Sequence, residues 1–451
     1  MSSYRDILKL VWPLALGMIN NAVMQFVDRA YLACHSQMAL EAVLPASMLT
    51  WIFAGFFQSV VGYSSVLVGV YHGANDGEKC RGSYAAALVL AAAFGLLSLP
   101  LVPLGDWIFA LSAPSEDVMR LEKAYFGLTM AGAFAVYGQM AASSYFTGRG
   151  KTRLVFWVNV LGNLLNIALD PLLIFVCDLG IAGAAIATVF STFVQMVVLC
   201  GMAHADVRRE RLLIGREPFG WLSRFARLRP IMLKIIRYGV PSGFYTCLNC
   251  LSFTIFVFVT GGVGELELAV SNACFTVNYL LIAPMEGFAL GASTLVAQAI
   301  GRNDRVAARR DARRTIALGV GFVAGLSALV VVFAHPILSL FAPSAATSPE
   351  NAAAFHSLGV VLFLLMAAWQ VFDAADVIVS GALKGAGDTR FVMGWMICCS
   401  FGLWLPLVFL VRAWRNTMPC LWGTMIVYVV VICIGSFVRW CRGGWEGKME
   451  I

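Results

Sequence analysis

Five acidic residues lie at least six residues inside stretches of sequence that are otherwise apolar enough to cross a lipid bilayer. They are Asp28, Asp170, Glu286, Asp373 and Asp376. An ionised carboxylate in the hydrocarbon region is costly, so such residues usually face a cavity or a partner and mark pathways for ions or protons. Their presence predicts that this chain moves something across a membrane.

Two of these carboxylates lie at matching depths with two further oxygen donors. Asp28 is about six residues before the outer end of its apolar stretch, and Asp170 about seven before the outer end of its own, which is within about one helical turn. Asn166 precedes Asp170 by four residues and so shares its helix face, and Thr188 lies at a similar depth on the next, returning stretch. Together they could bind a hard cation such as Na⁺, or the two carboxylates could share a proton. The alternative is a buried polar network that only fixes helix packing.

The composition indicates the solvent in which these residues must be positioned. Hydrophobic residues make up 60% of the 451 residues and charged residues 13%, about half the charged share of soluble domains. A membrane-spanning helix needs about 20 apolar residues, and twelve stretches qualify: about 10–34, 44–71, 84–111, 124–147, 154–177, 180–203, 235–261, 269–300, 315–340, 356–383, 391–412 and 419–440. We therefore expect an all-α integral membrane protein with twelve transmembrane helices.

The basic residues predict the orientation of these spans. The net charge is +7, and all but five of the 32 Lys and Arg residues fall in the N-terminal segment, the even-numbered loops and the C-terminus. This asymmetry follows the positive-inside rule and places both termini in the cytoplasm, in a multi-pass protein of the inner (plasma) membrane. The basic loops are expected to contact anionic lipids rather than nucleic acid.

The cysteine and histidine residues do not indicate a metal site or another cofactor. Most of the 12 cysteines lie within apolar spans, and the five histidines are scattered. Buried free thiols pack as small hydrophobic groups, and no metal-ligand spacing appears. The only ion expected is the Na⁺ or H⁺ of the acidic site.

An internal repeat fixes the architecture. Pro13 and Pro241, near the starts of spans one and seven, are 228 residues apart, as are the Gly-x-Asn-Asp motifs that begin at Gly73 and Gly301. A Gly-x-Gly-x-Thr-Arg motif that begins at Gly148 recurs 237 residues later. Each half contains six spans, so both insert in the same orientation, as in parallel-repeat transporters whose two bundles rock about a central site. The predicted units are an N-terminal lobe (1–203), a basic linker (204–234) and a C-terminal lobe (235–451).

These repeated motifs, together with the segment Asp178–Thr188, resemble the multidrug and toxin extrusion (MATE) family over residues 5–440. The resemblance implies two pseudo-symmetric six-helix lobes arranged as a V. It also implies a monomer that exports small organic, often cationic, compounds in exchange for inward Na⁺ or H⁺.

The resemblance assigns roles to individual residues. In the branch of DNA-damage-inducible-like and archaeal members, an Asp on span one, an Asn and an Asp on span five and a Thr on span six form the cation or proton site. Asp28, Asn166, Asp170 and Thr188 match that set. Pro13 matches a proline at which span one bends as the site loads, and the backbone donor missing at proline makes a bend plausible.

The second lobe departs from any such pattern. Asp373 lies where vibrio-type members place a coupling Asp, but Asn249 and Trp369 replace the Glu and Tyr that accompany it. By the repeat offsets, the counterparts of Asp28 and Asp170 are Phe256 and Leu407. Glu286, Asp373 and Asp376 are therefore candidates for a proton path or a substrate chamber, with simple packing as the alternative for each.

Two other functions fit parts of the sequence. A flippase for lipids or lipid-linked saccharides is the first alternative, although Arg29 is the only cation more than two residues from the end of a span. An intramembrane aspartyl protease is the remote one, because Gly385-Ala-Gly-Asp388 spells the Gly-x-Gly-Asp motif of that class, here in a predicted cytoplasmic loop. No Walker-type phosphate loop occurs, so we expect no ATP hydrolysis and no enzyme activity.

Overall fold

The computed structural model describes residues 3–111, 115–214, 221–341 and 349–449, and it is helical almost throughout these ranges. In the first half, the helices are α1 (Tyr4–His35), α2 (Gln37–Gly62), α3 (Ser64–Gly73), α4 (Gly77–Ser98), α5 (Leu101–Leu111), α6 (Glu116–Ala131), α7 (Ala133–Gly148), α8 (Thr152–Pro171) and α9 (Gly180–Ile214). A π-helical segment, Leu172–Val176, follows α8.

The second half repeats this order. Its helices are α10 (Trp221–Thr260), α11 (Glu265–Gly301), α12 (Arg305–Val332), α13 (Ala334–Ser339), α14 (Pro349–Gly385), α15 (Thr389–Ile397), α16 (Leu405–Trp414) and α17 (Met418–Cys441). A second π-helical segment, Cys398–Trp404, joins α15 to α16.

The predicted fold class, an all-α multi-pass membrane protein, is confirmed. Within the described residues, 11 helices are long and apolar enough to cross a membrane. The remaining predicted span, 124–147, is divided between α6 and α7, each of 16 residues, which meet at Gly132. A Cβ at this glycine would lie 2.4 Å from the side chain of Val189, so the break coincides with a close approach of α9.

The basic stretch between the halves is more helical than a linker requires. Helix α9 continues to Ile214, and α10 already begins at Trp221. Residues 215–220 of the predicted linker lie outside the described residues. The two long helices therefore continue beyond their apolar spans into the basic segment.

The first repeated motif is a device that ends one helix and starts the next. Asn75 and Asn303, which are equivalent in the repeat, both adopt left-handed backbone with φ of 57°, a conformation that asparagine tolerates better than most residues. The following Asp76 accepts a hydrogen bond from the backbone N–H of Lys79 at 3.0 Å, and Asp304 accepts one from Ala307 at 2.8 Å. Both aspartates thus cap the helix that follows.

The second motif provides close helix packing in both halves. A Cβ on Gly148 would lie 2.5 Å from the carbonyl oxygen of Ser65, and one on Gly385 would lie 2.4 Å from that of Ser293. These two pairs are related by the same offsets, 237 and 228 residues, as the sequence motifs. The next glycine of each motif, Gly150 or Gly387, has a positive φ of 77° or 86° that favours glycine. The repeat is therefore present in the packing as well as in the sequence.

Contacts divide the chain into two compact units. One contains Met1–Met18, Leu248–Val296 and Arg309–Glu450, and the other contains Ile19–Cys247 and Ala297–Ala308. The division falls inside α1 and α10, so the first part of each helix belongs to a different unit from the rest. The lobe boundaries given by the sequence remain a prediction.

Candidate functional site

The four residues predicted to form the acidic site come together in one unit. Asp28 lies on α1, Asn166 and Asp170 on α8, and Thr188 on α9. The carboxyl groups of Asp28 and Asp170 are within hydrogen-bonding distance of each other. Asn166 and Asp170 are fully buried, and Asp28 and Thr188 are half-buried. We refer to these four residues as the acidic site.

Asn166 connects the three helices of the acidic site. With its amide nitrogen facing α1, it donates to Oδ1 of Asp28 at 2.9 Å, and its oxygen accepts from the backbone N–H of Thr188 at 3.3 Å. The hydroxyl of Thr188 donates to the carbonyl of Ala184 at 3.0 Å, which leaves its lone pairs available as acceptors. The amide therefore holds the carboxylate of α1 beside α9.

The pair of carboxyl groups is incomplete without a proton or a cation. Neither oxygen of Asp170 accepts a hydrogen bond from a donor within the described ranges. Two ionised carboxylates at this separation repel each other, whereas a shared proton or a bound cation converts the contact into an attraction. Carboxylate, amide and hydroxyl oxygens are ligands for hard cations. The site can therefore take up and release a positive charge.

The backbone next to Asp170 is irregular. Pro171 ends α8, and the π-helical segment Leu172–Val176 follows directly. Prolines and π-helical turns are common at bends and functional sites in helices. Asp170 thus stands at a point where the second helix of the site changes its geometry.

Two neighbours affect the charge of the acidic site. Arg29 follows Asp28 but is exposed, and in the part of the chain that the structure describes it forms no ion pair with Asp28. Tyr125 of α6 is close enough to interact electrostatically with both Asp28 and Asp170. Nothing in the sequence distinguished this tyrosine, because aromatic residues are common in apolar spans.

A cluster of amide side chains, which the sequence analysis missed, lies beside the acidic site. Asn163 of α8 donates through Nδ2 to Oδ1 of Asn21 on α1 at 2.8 Å, and Gln195 of α9 donates to Oδ1 of Asn163 at 3.4 Å. We call Asn21, Asn163 and Gln195 the amide cluster. The sequence contains an indication of this cluster, because Asn21 and Asn163 each precede an acidic-site aspartate by seven residues, or two helical turns.

Helix α1 runs without a break through Pro13, the predicted bending point. The change from one contact unit to the other occurs between Met18 and Ile19. The predicted bend and Asp28 therefore lie on the two sides of that boundary. The gating role of Pro13 remains a prediction.

The three acidic candidates of the second half do not form an equivalent pair. Glu286 on α11 is exposed and Asp373 on α14 is half-buried. Asp376 is buried and hydrogen-bonds to Ser380 and Ser436, while its Oδ1 has no partner within the described ranges. These three residues lie in one region, since Asp373 interacts electrostatically with Asp376 and Glu286. Their surroundings nevertheless differ.

An aromatic cluster occupies the position equivalent to the acidic site in the second half. Phe256, the repeat counterpart of Asp28, is fully buried, and its ring centroid is 5.1 Å from that of Trp404. Trp404 in turn stacks on Tyr428 and donates through its indole N–H to Thr424. The predicted absence of a symmetric second site is consistent with this packing.

An ion-pair network joins the ends of α4, α7 and α9. Arg149 pairs with Asp206 and, at 2.6 Å, with Glu210, which also accepts from Arg81 at 2.8 Å. Lys151 pairs with Asp206 at 3.0 Å. A cavity of about 290 Å³ lies beside this network, and its walls include Arg81, Arg149 and Glu210.

The Gly-Ala-Gly-Asp motif has a structural role. Its glycines pack α14 against α11 and form the turn, and Asp388 pairs with Arg439 of α17 at 2.8 Å. All twelve cysteines are free thiols. Among the residues with described positions, no three His, Cys, Asp or Glu side chains form a group that could hold a metal ion.

Two repeated helical halves and a buried acidic site in one of them define the class of ion-coupled membrane transporters. The family model described as MatE matches residues 13–172 and 241–410. Since these ranges cover more than half of the chain, the protein belongs to the MatE family. The predicted family resemblance is confirmed.

Relatives extend along nearly the whole chain. A protein from Thermotoga maritima, described as "Probable multidrug resistance protein NorM", is 23% identical, and the alignment covers 98% of this chain and 93% of the relative. A protein from Bacillus subtilis, described as "Probable multidrug resistance protein YoeA", is 24% identical with coverages of 90% and 87%.

Solved structures share the fold. A MOP superfamily transporter from Pyrococcus furiosus aligns with a TM-score of 0.83 at 21% identity and covers 99% of this chain and 96% of its own. The eukaryotic MATE transporter AtDTX14 aligns with a TM-score of 0.81 at 18% identity, with coverages of 99% and 98%. The helical architecture is therefore that of known transporters.

Proposed function

We propose that this protein is a secondary active multidrug exporter that moves small organic compounds, many of them cationic, outward in exchange for inward Na⁺ or H⁺. The observation that carries the proposal is the buried contact between the carboxyl groups of Asp28 and Asp170. Membership of the MatE family and the relatives described as multidrug resistance proteins support the substrate class. The protein is a transporter and not an enzyme.

The acidic site supplies the coupling step. A proton or Na⁺ entering from the outside lies between Asp28 and Asp170 and removes their mutual repulsion. Asn166 and Thr188 orient the carboxylate of Asp28 and add oxygen ligands. The resulting pull on α1, which bends at Pro13, changes the first half so that substrate leaves outward. Rocking of the two halves then exposes the acidic site to the cytoplasm, where the ion is released.

The second half has a different part in this cycle. Glu286 is exposed and therefore suited to attract an organic cation, while Asp373 and Asp376 lie deeper on α14. A cationic substrate needs an apolar chamber with one or two opposite charges. These three residues supply that charge, and the ion-coupling chemistry stays with the first half.

The remaining assignments follow from the spans and the charge distribution. The protein is a multi-pass protein of the inner (plasma) membrane with both termini in the cytoplasm, as the positive-inside rule predicts. The family resemblance implies that it works as a monomer, and the charge distribution implies that its basic loops contact anionic lipids.

The test is export of a fluorescent cationic dye from proteoliposomes, with a Na⁺ gradient and a proton gradient imposed separately. The wild-type protein is compared with Asp28→Asn and with Asp117→Asn, which changes an exposed aspartate of α6. We expect one gradient to drive uphill export by the wild type and by Asp117→Asn, and Asp28→Asn to show none.

Two results would oppose the proposal. If Asp28→Asn still exports dye uphill at the wild-type rate, the acidic site is not the coupling site. If folded wild-type protein responds to neither gradient, the same vesicles with a fluorescent lipid test the alternative function, lipid or lipid-linked saccharide flipping.

A further inference from the structure

We propose that the amide cluster of Asn21, Asn163 and Gln195 is a positioning device that holds α1 in register with α8 and α9, so that Asp28 meets Asn166 and Asp170. The inference deepens the proposed function and rests on it. We expect the amide cluster to raise the apparent affinity of the acidic site for its ion.

The geometry consists of two polar layers across the same helices. In the upper layer, Asp28 of α1 meets Asn166 and Asp170 of α8. In the lower layer, Asn21 of α1 meets Asn163 of α8 at 2.8 Å. The two layers are seven residues apart on both helices, so they lie on the same faces.

Helix α9 contributes a residue to both layers and runs antiparallel to α1 and α8. Thr188 contacts Asn166, and Gln195, seven residues later, contacts Asn163. The approach is close, because a Cβ on Gly162 would lie 2.0 Å from Nε2 of Gln195. Gln195 also accepts from Gln139 of α7 at 3.5 Å, and Gln139 donates to Asn159 at 3.1 Å. The amide cluster thus ties α1 to the rest of the helix group.

The chemistry of amides favours positioning over ion binding. Asparagine and glutamine carry both donors and acceptors and do not ionise. The oxygens of Asn21 and Asn163 already accept N–H donors. Two hydrogen-bonded layers on rigid helices fix both the rotation and the height of α1, whereas the acidic layer alone keeps only the hydrogen bond from Asn166 to Asp28 when the ion leaves. The amide cluster therefore keeps Asp28 in place through the unloaded part of the cycle.

The experiment measures ion binding without transport. The thermal midpoint of the purified full-length protein in detergent is recorded against Na⁺ concentration at fixed pH, and against pH in the absence of Na⁺, because a bound ion raises this midpoint. Asn21→Leu and Asn163→Leu are compared with Asn159→Leu. The last variant removes a hydrogen bond of α8 to α7 but leaves the contact with α1.

We expect Asn21→Leu and Asn163→Leu to need about tenfold more ion to reach half of the full midpoint shift. This factor corresponds to the loss of roughly one hydrogen bond. Asn159→Leu should stay within about twofold. Asn21→Gln, which keeps an amide at the position, should recover most of the affinity. It also provides the test if the leucine variants do not fold. In proteoliposomes, export by Asn21→Leu at saturating ion should approach the wild-type rate.

Four outcomes contradict the inference. An equal shift in Asn159→Leu would show that any loss of polar packing weakens the site. If Asn21→Leu needs a higher dye concentration for half-maximal export while its ion affinity is unchanged, Asn21 is a substrate ligand. An ion response in the wild type that Asn21→Leu leaves unchanged overturns the inference alone, whereas a wild type that responds to neither ion overturns the proposed ion coupling as well.

Discussion

The two halves of this transporter share a scaffold but use it for different chemistry. Gly148 packs on the carbonyl of Ser65 in the first half, and Gly385 packs on that of Ser293 in the second. At the acidic site the equivalence ends, because the counterpart of Asp28 is Phe256, which is buried against Trp404. The same helical framework therefore holds a pair of carboxyl groups in one half and an aromatic core in the other.

This difference indicates which parts of the repeat are structural. The capping aspartates and the motif glycines serve helix ends and close packing, so both halves need them. An intramembrane carboxylate pair is costly to bury. The second half has aromatic packing at the equivalent position, so the shared scaffold does not need such a pair.

Neutralising one carboxylate of the first-half pair tests the difference between the halves most directly. Asp170→Asn keeps the shape of the side chain but removes the second negative charge, so the site can no longer take up and release a cation. We expect uphill dye export in proteoliposomes to fall to the level of protein-free vesicles. Asp117→Asn, which changes an exposed aspartate, is the control. A normal pumping rate in Asp170→Asn would mean that another residue couples ion movement to export.

The equivalence of the scaffolds can be tested with the motif glycines. Gly148→Ala and Gly385→Ala each place a methyl group within 2.5 Å of a backbone oxygen, an overpacking that costs about 1 to 3 kcal/mol of stability. Thermal unfolding in detergent should show similar losses for both variants. Gly394→Ala, whose Cβ would have no neighbour within 4 Å, should keep or raise the midpoint. A loss in only one motif variant would mean that the repeat packing is not equivalent.

The sequence predicted the common scaffold better than the details of the site. Apolar length gave the spans, and the offsets of 228 and 237 residues recur in the packing. Depth along each span predicted that Asp28 and Asp170 lie close together. Tyr125 and the break at Gly132 were not predictable, because both depend on how neighbouring helices are rotated and how closely they approach. Only the tertiary contacts decide these quantities.

A smaller effect should follow from the second-half carboxylates. Asp373→Asn, Asp376→Asn and Glu286→Gln each remove a charge without touching the acidic site, so uphill export should persist. We expect the rate to fall by about twofold to tenfold, with a higher half-saturating dye concentration for Glu286→Gln, because one interaction with a cationic substrate is lost. Complete loss of coupling in Asp373→Asn would instead give the two halves equal roles.

The smallest effect concerns the loop ion pairs, whose polarity is reversed between the halves. In the first half the loop supplies the cations Arg149 and Lys151 to acids on α9, whereas in the second the loop supplies Asp388 to Arg439 on α17. Arg149→Ala should cost about 1 kcal/mol, because solvent weakens its partly exposed pairs. Arg439→Ala should cost somewhat more, because it leaves the buried Asp388 without its cation.

Arg439→Ala should lower the thermal midpoint more than Arg149→Ala, because Asp388 is buried, although within the described residues Arg149 contacts two acids and Arg439 one. The exchange Asp388→Arg with Arg439→Asp reverses the second pair and gives it the polarity of the first. If the loop needs only an ion pair, this double variant should recover most of the midpoint lost by Arg439→Ala. If it recovers nothing, the second half requires its own polarity, and the loops differ in function as the intramembrane sites do.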